Sequence, residues 1–154
     1  MKKQTGTEGF INPELTQIGI DDDIYFNNEN RARFTIAHEI GHWFLHKYIY
    51  KKIRNTIKIN SFFEYSKFID EIAQEDYNWI EWQAYFFAGQ ILVPAKELKK
   101  EIEKVLNNDL INKFFRDDIV FPIIEDLATA FNVSPQVIRK RLSEDKIINI
   151  RQVI

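Results

Sequence analysis

The sequence predicts an α+β fold that is mostly α-helical, with a small β-hairpin near the N-terminus and a helical hairpin near the C-terminus. Apolar residues recur at helical spacing through most of the chain after residue 28. Short apolar runs around an acidic turn, which are typical of paired strands, occur in residues 15–27. With 154 residues, of which 45% are hydrophobic, the chain is expected to form a single domain, 1–154, around one core.

The N-terminal part is predicted to hold a loose lead-in, residues 1–14, followed by the hairpin. Ile18 and Ile20 would belong to its first strand, and Ile24–Phe26 would form its second. Between them lie three aspartates, Asp21–Asp23, which we interpret as a solvated turn rather than a cation site, since aspartate favours turns. An extended ligand could pair with the strand Ile24–Phe26.

A long helix is predicted next, capped by Asn28 or Asn30 and running to about Lys47. Gly41 lies inside it although glycine weakens helices, which indicates that another segment approaches closely at this point. The apolar stripe of this helix consists of Phe34, Ala37, Gly41, Phe44, Leu45 and Tyr48.

Two more helices are predicted in the middle of the chain, over residues 78–93 and from Ala95 to about Leu106. Pro94 separates them, because the residue before a proline leaves the helical conformation. The stripe of the first helix consists of Ile80, Ala84, Phe87, Ala88 and Ile91. Ahead of it, alternation at Ile57 and Ile59 allows a short strand.

The C-terminal residues 119–143 are predicted to form a helical hairpin that resembles a helix-turn-helix. Pro122 would open its first helix, Asn132 would take a left-handed turn, and Ser134 and Pro135 would begin the second helix. The net charge of −2 argues against a general nucleic-acid binder. Packing is therefore favoured over DNA binding for the basic residues of this second helix, which are Arg139, Lys140 and Arg141.

The chemically informative stretch is His38-Glu39-Ile40-Gly41-His42, which has the H-E-x-x-H spacing of zinc-binding helices. Histidines four residues apart share one helix face and lie about 6 Å apart along the axis, so both imidazoles can reach one ion. Glu39 points beside that ion, where a general base for water would lie. The chain has no cysteine, so a zinc site must use histidine and carboxylate.

Two residues compete for the place of third ligand, His46 and Glu81. His46 shares the helix face but would lie about 12 Å from His38 along the axis, too far for both to surround one ion. We therefore expect His46 to be a structural residue near the helix end, where a cation is favoured. Glu81 comes from a separate helix and can approach from another side. Glu81→Ala, rather than His46→Ala, should lower zinc affinity.

Three blocks resemble the ImmA/IrrE metallopeptidases. They are Arg33–His42 with Leu45-His46, then Glu81-x-x-Ala84 with Phe87–Pro94, and finally Leu127–Ser134 ending in Arg141-Leu142. The resemblance implies a zincin-like, cytoplasmic zinc endopeptidase whose core spans 15–94, with His38, His42 and Glu81 as metal ligands. It implies Glu39 as catalytic base and a helix-turn-helix transcriptional repressor as substrate. Tyr85 departs from the family, which usually has Asn or Asp at that position.

An alternative from another class is a non-catalytic regulatory module that contacts a repressor or DNA through the C-terminal hairpin. An intact Glu39 beside an open metal position favours the enzyme, because structural zinc sites are closed by four protein ligands. The donor set, two histidines and a carboxylate, also suits iron or manganese. The sequence contains neither a signal-peptide pattern nor an apolar run of membrane-spanning length.

Overall fold

The structure is a computed structural model that describes residues 8–12, 14–56, 74–105 and 117–144. Within these ranges it contains a two-stranded antiparallel sheet and six helices, which confirms the predicted α+β fold with mostly helical content. The elements in chain order are β1 (Gly9–Ile11), β2 (Ile18–Ile20), α1 (Asp22–Asn27), α2 (Glu29–Thr56), α3 (Gln74–Leu92), α4 (Ala95–Val105), α5 (Asp117–Phe131) and α6 (Pro135–Glu144).

The small sheet pairs β1 with β2, so that Phe10 faces Gly19 and Ile11 faces Ile18. The predicted partner of the strand at Ile18–Ile20 was therefore wrong. Its actual partner is β1, which lies within residues 1–14, the stretch predicted to be a loose lead-in. Ile24–Phe26, predicted as the second strand, belongs instead to helix α1.

Asp21 explains why the chain turns into a helix after β2. Its carboxylate accepts hydrogen bonds from the backbone N–H groups of Asp23 and Ile24, at 2.9 and 3.2 Å. This is the capping interaction that satisfies the free N–H groups at a helix start. The aspartates thus begin α1 rather than form the tip of a hairpin.

Helix α2 starts as predicted, because the Asn28 side chain accepts a hydrogen bond from the Arg31 N–H at 3.1 Å. It continues past the predicted end at Lys47 to Thr56. No glycine or proline occurs between those two residues, so no residue there favours an earlier stop. Both strands and α1 pack against this helix.

The following helices agree with the sequence where the structure describes them. Helix α3 ends at Leu92, just before Pro94, and α4 begins at Ala95 and is described to Val105. The strand suggested around Ile57 and Ile59 lies outside the described residues. None of the helices in the described ranges is long and apolar enough to cross a bilayer.

The C-terminal hairpin forms from α5 and α6. Asn132 has φ of 53° and Pro135 is the first residue of α6, which confirms the predicted turn and helix start. Pro122 does not open α5, which begins at Asp117; the proline lies inside the helix. Buried apolar residues after Pro122 offset the backbone hydrogen bond that proline cannot make. They are Ile123, Ile124 and Leu127.

The chain divides into two compact units, Met1–Ala88 and Gly89–Ile154. The first unit holds the sheet, α1, α2 and most of α3. The second has an apolar core that includes Val93, Leu98, Leu127, Ile138 and Leu142, each at most 1% exposed. The expectation that the whole chain acts as a single domain stays a prediction.

Candidate active site

Three side chains from α2 and α3 converge in the first unit. The Nε2 atoms of His38 and His42 lie 3.0 Å apart on one face of α2. Glu81, from α3, places its Oε2 atom 3.2 Å from His38 Nε2 and its Oε1 atom 3.3 Å from His42 Nε2. Both histidines are buried and Glu81 is half-buried. The sequence-predicted ligand residues are therefore brought together.

The close approach of the two helices depends on Gly41. A Cβ atom at this position would lie 3.2 Å from both the Cα and the carbonyl oxygen of Ala84, and 3.1 Å from Phe87 Cδ1. Ala84 is fully buried at this crossing. The sequence-based expectation that a second helix passes close to Gly41 is confirmed.

The spacing of the cluster fits a metal ion held at tetrahedral angles, for which zinc gives the reference distances. Ligand atoms bonded to zinc at 2.0–2.1 Å and at tetrahedral angles lie about 3.3–3.4 Å from one another. The two imidazole nitrogens lie 3.0 Å apart, and the distances from His38 to Glu81 Oε2 and from His42 to Glu81 Oε1 are 3.2 and 3.3 Å, all close to that value. Two imidazoles and one carboxylate are also the donors of catalytic zinc sites that keep a fourth position open.

Glu81 is held in its charged form. Burial works to raise the pKa of its carboxyl group, but hydrogen bonding to His38 and His42 outweighs burial and lowers the pKa to about 2. The carboxylate is therefore ionised at neutral pH. An ionised carboxylate beside two imidazole nitrogens is the state that can bind a cation.

Glu39 lies beside the cluster but is not part of it. Its side chain is buried and packs towards β1, where the backbone of Ile11 hydrogen-bonds to it and a Cβ on Gly9 would lie 3.5 Å from its Oε1. Burial raises its pKa, so this carboxylate is more basic than an exposed one. The role of β1 was not predicted from the sequence. The run Gly9–Ile11 is only three residues long, which is too short to show the alternation that indicates a strand.

His46 does not join the cluster but extends it away from Glu81. Its Nδ1 lies 3.1 Å from His42 Nδ1, and its Nε2 lies 2.9 Å from the Gln83 side-chain oxygen. The expectation of a cation near a helix end was wrong, because α2 continues to Thr56 and burial lowers the pKa of His46. The contact of Gln83 with His46 was not predicted from the sequence. The only indication was that Gln83 lies two residues after Glu81.

Tyr85 borders the site on α3. The centroid of its ring lies 4.4 Å from that of the His38 imidazole and 5.8 Å from that of Phe34. Burial raises the pKa of the phenol, which is therefore neutral at physiological pH. In the ImmA/IrrE pattern this position is usually Asn or Asp, so an aromatic ring packs here against a predicted ligand.

Two histidines one helical turn apart, a carboxylate from a second helix and a buried glutamate beside them define a metallopeptidase-type site. Residues 17–143 match the family model for the IrrE N-terminal-like domain, Peptidase_M78. The chain belongs to this family. Searches of curated proteins and of solved structures give no match.

Proposed function

We propose that the protein is a zinc-dependent endopeptidase that cleaves a helix-turn-helix transcriptional repressor. The observation that carries this proposal is the convergence of His38, His42 and Glu81 next to a buried Glu39. Family membership supports the general class of metallopeptidase. The choice of zinc rests on the resemblance of the sequence to the ImmA/IrrE metallopeptidases, and the donor set and the separations of its atoms are compatible with it.

Each residue of the site has a distinct task in this proposal. His38, His42 and Glu81 would hold the ion, which when bound supplies a Lewis acid that acidifies water and polarises the scissile carbonyl. Glu39 takes the proton of the attacking water and passes it to the leaving amine. Its raised pKa suits both tasks, since a catalytic group works best when its pKa is closer to the working pH.

The strand beside the site is β1, so an extended substrate would pair there and not with Ile24–Phe26, which is helical. Backbone hydrogen bonds join β1 and β2 at both ends, from Asp21 N–H to Glu8 and from Asn12 N–H to Gln17. In an antiparallel pair the residues between such partners direct their backbone groups to the other side. Gly9 and Ile11 thus line the edge of β1 that faces Glu39.

The repressor as substrate is proposed from the resemblance of the sequence to the ImmA/IrrE family. The alternative, DNA binding through the C-terminal hairpin, is less well supported. Of its three adjacent basic residues, Arg141 is only 1% exposed and donates a hydrogen bond from Nε to the Val93 carbonyl oxygen at 3.0 Å. A buried guanidinium that stabilises its own unit cannot contact phosphates. We propose that direct DNA binding is not part of the function.

The test is cleavage of a repressor encoded next to this protein's gene. Wild type, Glu39→Gln and Glu125→Gln are incubated with the repressor at equal zinc loading, and products are identified by mass spectrometry. Glu125 is an exposed glutamate in α5 and serves as the matched control. Glu39→Gln should keep zinc and lose at least about 100-fold in rate, because one carboxylate makes both proton transfers. Equal rates for wild type and Glu39→Gln would contradict the assignment.

A further inference from the structure

A line of polar contacts, buried at His42 and His46 and partly buried at Gln83, runs from His42 away from Glu81, and no step of the proposed reaction uses it. It passes from His42 Nδ1 to His46 Nδ1 at 3.1 Å, and from His46 Nε2 to Gln83 Oε1 at 2.9 Å. His42 and His46 are 4% and 2% exposed. We propose that His46 and Gln83 are positioning residues that hold His42 in the tautomer able to bind a metal ion. The inference rests on the proposed zinc site.

The hydrogen count along this line is determined at the Gln83 end. With the Gln83 oxygen facing it, His46 Nε2 must carry the hydrogen, because this oxygen can only accept. A neutral imidazole has one N–H, which leaves a lone pair on His46 Nδ1. A doubly protonated His46 would be a buried cation and would be costly at this low exposure. His46 therefore accepts a hydrogen bond from His42.

The consequence for His42 follows from the same rule. When a metal ion occupies Nε2 in place of a hydrogen, His42 Nδ1 keeps its hydrogen and donates it to His46. That Nε2 is the atom next to the Glu81 carboxylate and His38 Nε2, in the predicted metal position. The nitrogen opposite a metal bond commonly donates to a hydrogen-bond acceptor, and this bond sets the orientation of the ring.

His38 is held differently. Its Nδ1 is buried and has no hydrogen-bond partner in the part of the chain that the structure describes. Its ring instead packs against Tyr85. The line through His46 and Gln83 therefore acts on His42 alone, and its removal should affect one of the two histidines.

Removal of the acceptor has a definite cost. Without His46, the buried Nδ1–H of His42 would be unpaired, so the ring would favour the tautomer with hydrogen on Nε2. That tautomer donates to Glu81 and competes with the metal. Loss of such a supporting hydrogen bond typically weakens metal binding about 10- to 100-fold.

The test pairs each disruptive variant with a conservative one in a zinc competition titration. His46→Leu should bind zinc about 10- to 100-fold more weakly, and Gln83→Leu at least several-fold more weakly. For His46 this replaces the sequence-based expectation that its loss leaves zinc affinity unchanged, because its contacts with His42 and Gln83 support a predicted ligand. His46→Asn places an oxygen where His46 Nδ1 lies, and Gln83→Glu can only accept, so both should recover most of the affinity. Gln90→Leu, about two turns along α3 and equally half-buried, is the matched control and should bind as wild type.

A second readout does not need zinc at all. Nitrogen-15 chemical shifts of the metal-free wild-type protein should show hydrogen on His42 Nδ1 and on His46 Nε2. Absence of hydrogen from His42 Nδ1 would overturn the inference, as would wild-type zinc affinity in both leucine variants. If each conservative variant, His46→Asn or Gln83→Glu, binds zinc as weakly as the leucine variant at the same position, the two residues only fill space. The inference is then wrong. Absence of zinc binding by wild type would instead refute the proposed function, while the chemical shifts still decide the tautomer.

Discussion

Gly41→Val tests whether the crossing of α2 and α3 holds the site together. A Cβ at Gly41 would already lie 3.2 Å from the Ala84 backbone and 3.1 Å from Phe87, whereas carbon atoms pack at about 3.5–4.0 Å. The two γ carbons of valine reach further still. We estimate that the helices must separate by roughly 1 Å or distort, at a cost of about 1–3 kcal/mol. The better helix propensity of valine returns only about 0.5 kcal/mol.

The same displacement should harm metal binding, since metal–ligand distances tolerate changes of only about 0.2 Å. Glu81 is on α3 while His38 and His42 are on α2, so separation of the helices moves the carboxylate away. We expect zinc affinity to fall at least ~10-fold, or about 1.4 kcal/mol.

The assay combines urea unfolding of the metal-free protein with zinc competition on the same preparations. Gly41→Ala should give an intermediate effect on zinc affinity, and Ile40→Val, at an exposed neighbouring position, should behave as wild type. A Gly41→Val protein that unfolds at the wild-type urea concentration and binds zinc with wild-type affinity would refute this account of the crossing.

Two further predictions concern charge. Arg141→Leu should lower the unfolding free energy by about 2–3 kcal/mol, because the Val93 carbonyl would lose a buried hydrogen bond from a charged donor. The control Arg139→Leu, at an exposed position, should change the unfolding free energy by less than about 0.5 kcal/mol. Equal effects of the two substitutions in urea unfolding would contradict the role of Arg141. In the metal-free protein, burial works to raise the pKa of Glu81, but hydrogen bonding to the histidines outweighs it and lowers the pKa from 4.5 to about 2. Ionised Glu81 therefore stabilises the fold above pH 4.5, and this stabilisation is lost as the pH falls towards 2. The stability difference between wild type and Glu81→Gln should therefore shrink over that range, and a constant difference would contradict the lowered pKa.

Local signals predicted the parts of the fold that depend on local physics. Pro94 divides two helices, Asn28 caps α2 and Asn132 takes the left-handed turn, since each acts through its own backbone or nearest neighbours. The juxtaposition of His38, His42 and Glu81 was also predictable, from helical spacing and from the family motif.

Interactions between segments distant in the sequence were the ones that the sequence did not reveal. The pairing of β1 with β2 depends on a partner several residues away, and three-residue strands give almost no periodicity. Pro122 lies within α5 because burial of the following apolar residues outweighs its local preference. The contact of His46 with Gln83 joins two helices, so neither residue alone indicated it.

The most direct test of the proposed site is the zinc content of wild type and Glu81→Ala after equilibration at one buffered concentration of free zinc. Glu125→Ala, which removes an exposed glutamate, is the matched control. We predict about one zinc per chain in wild type and in the control, and almost none in Glu81→Ala, because loss of a third ligand leaves only two imidazoles. A wild-type protein without zinc, or a Glu81→Ala protein that retains a full equivalent, would contradict the site proposed for this chain.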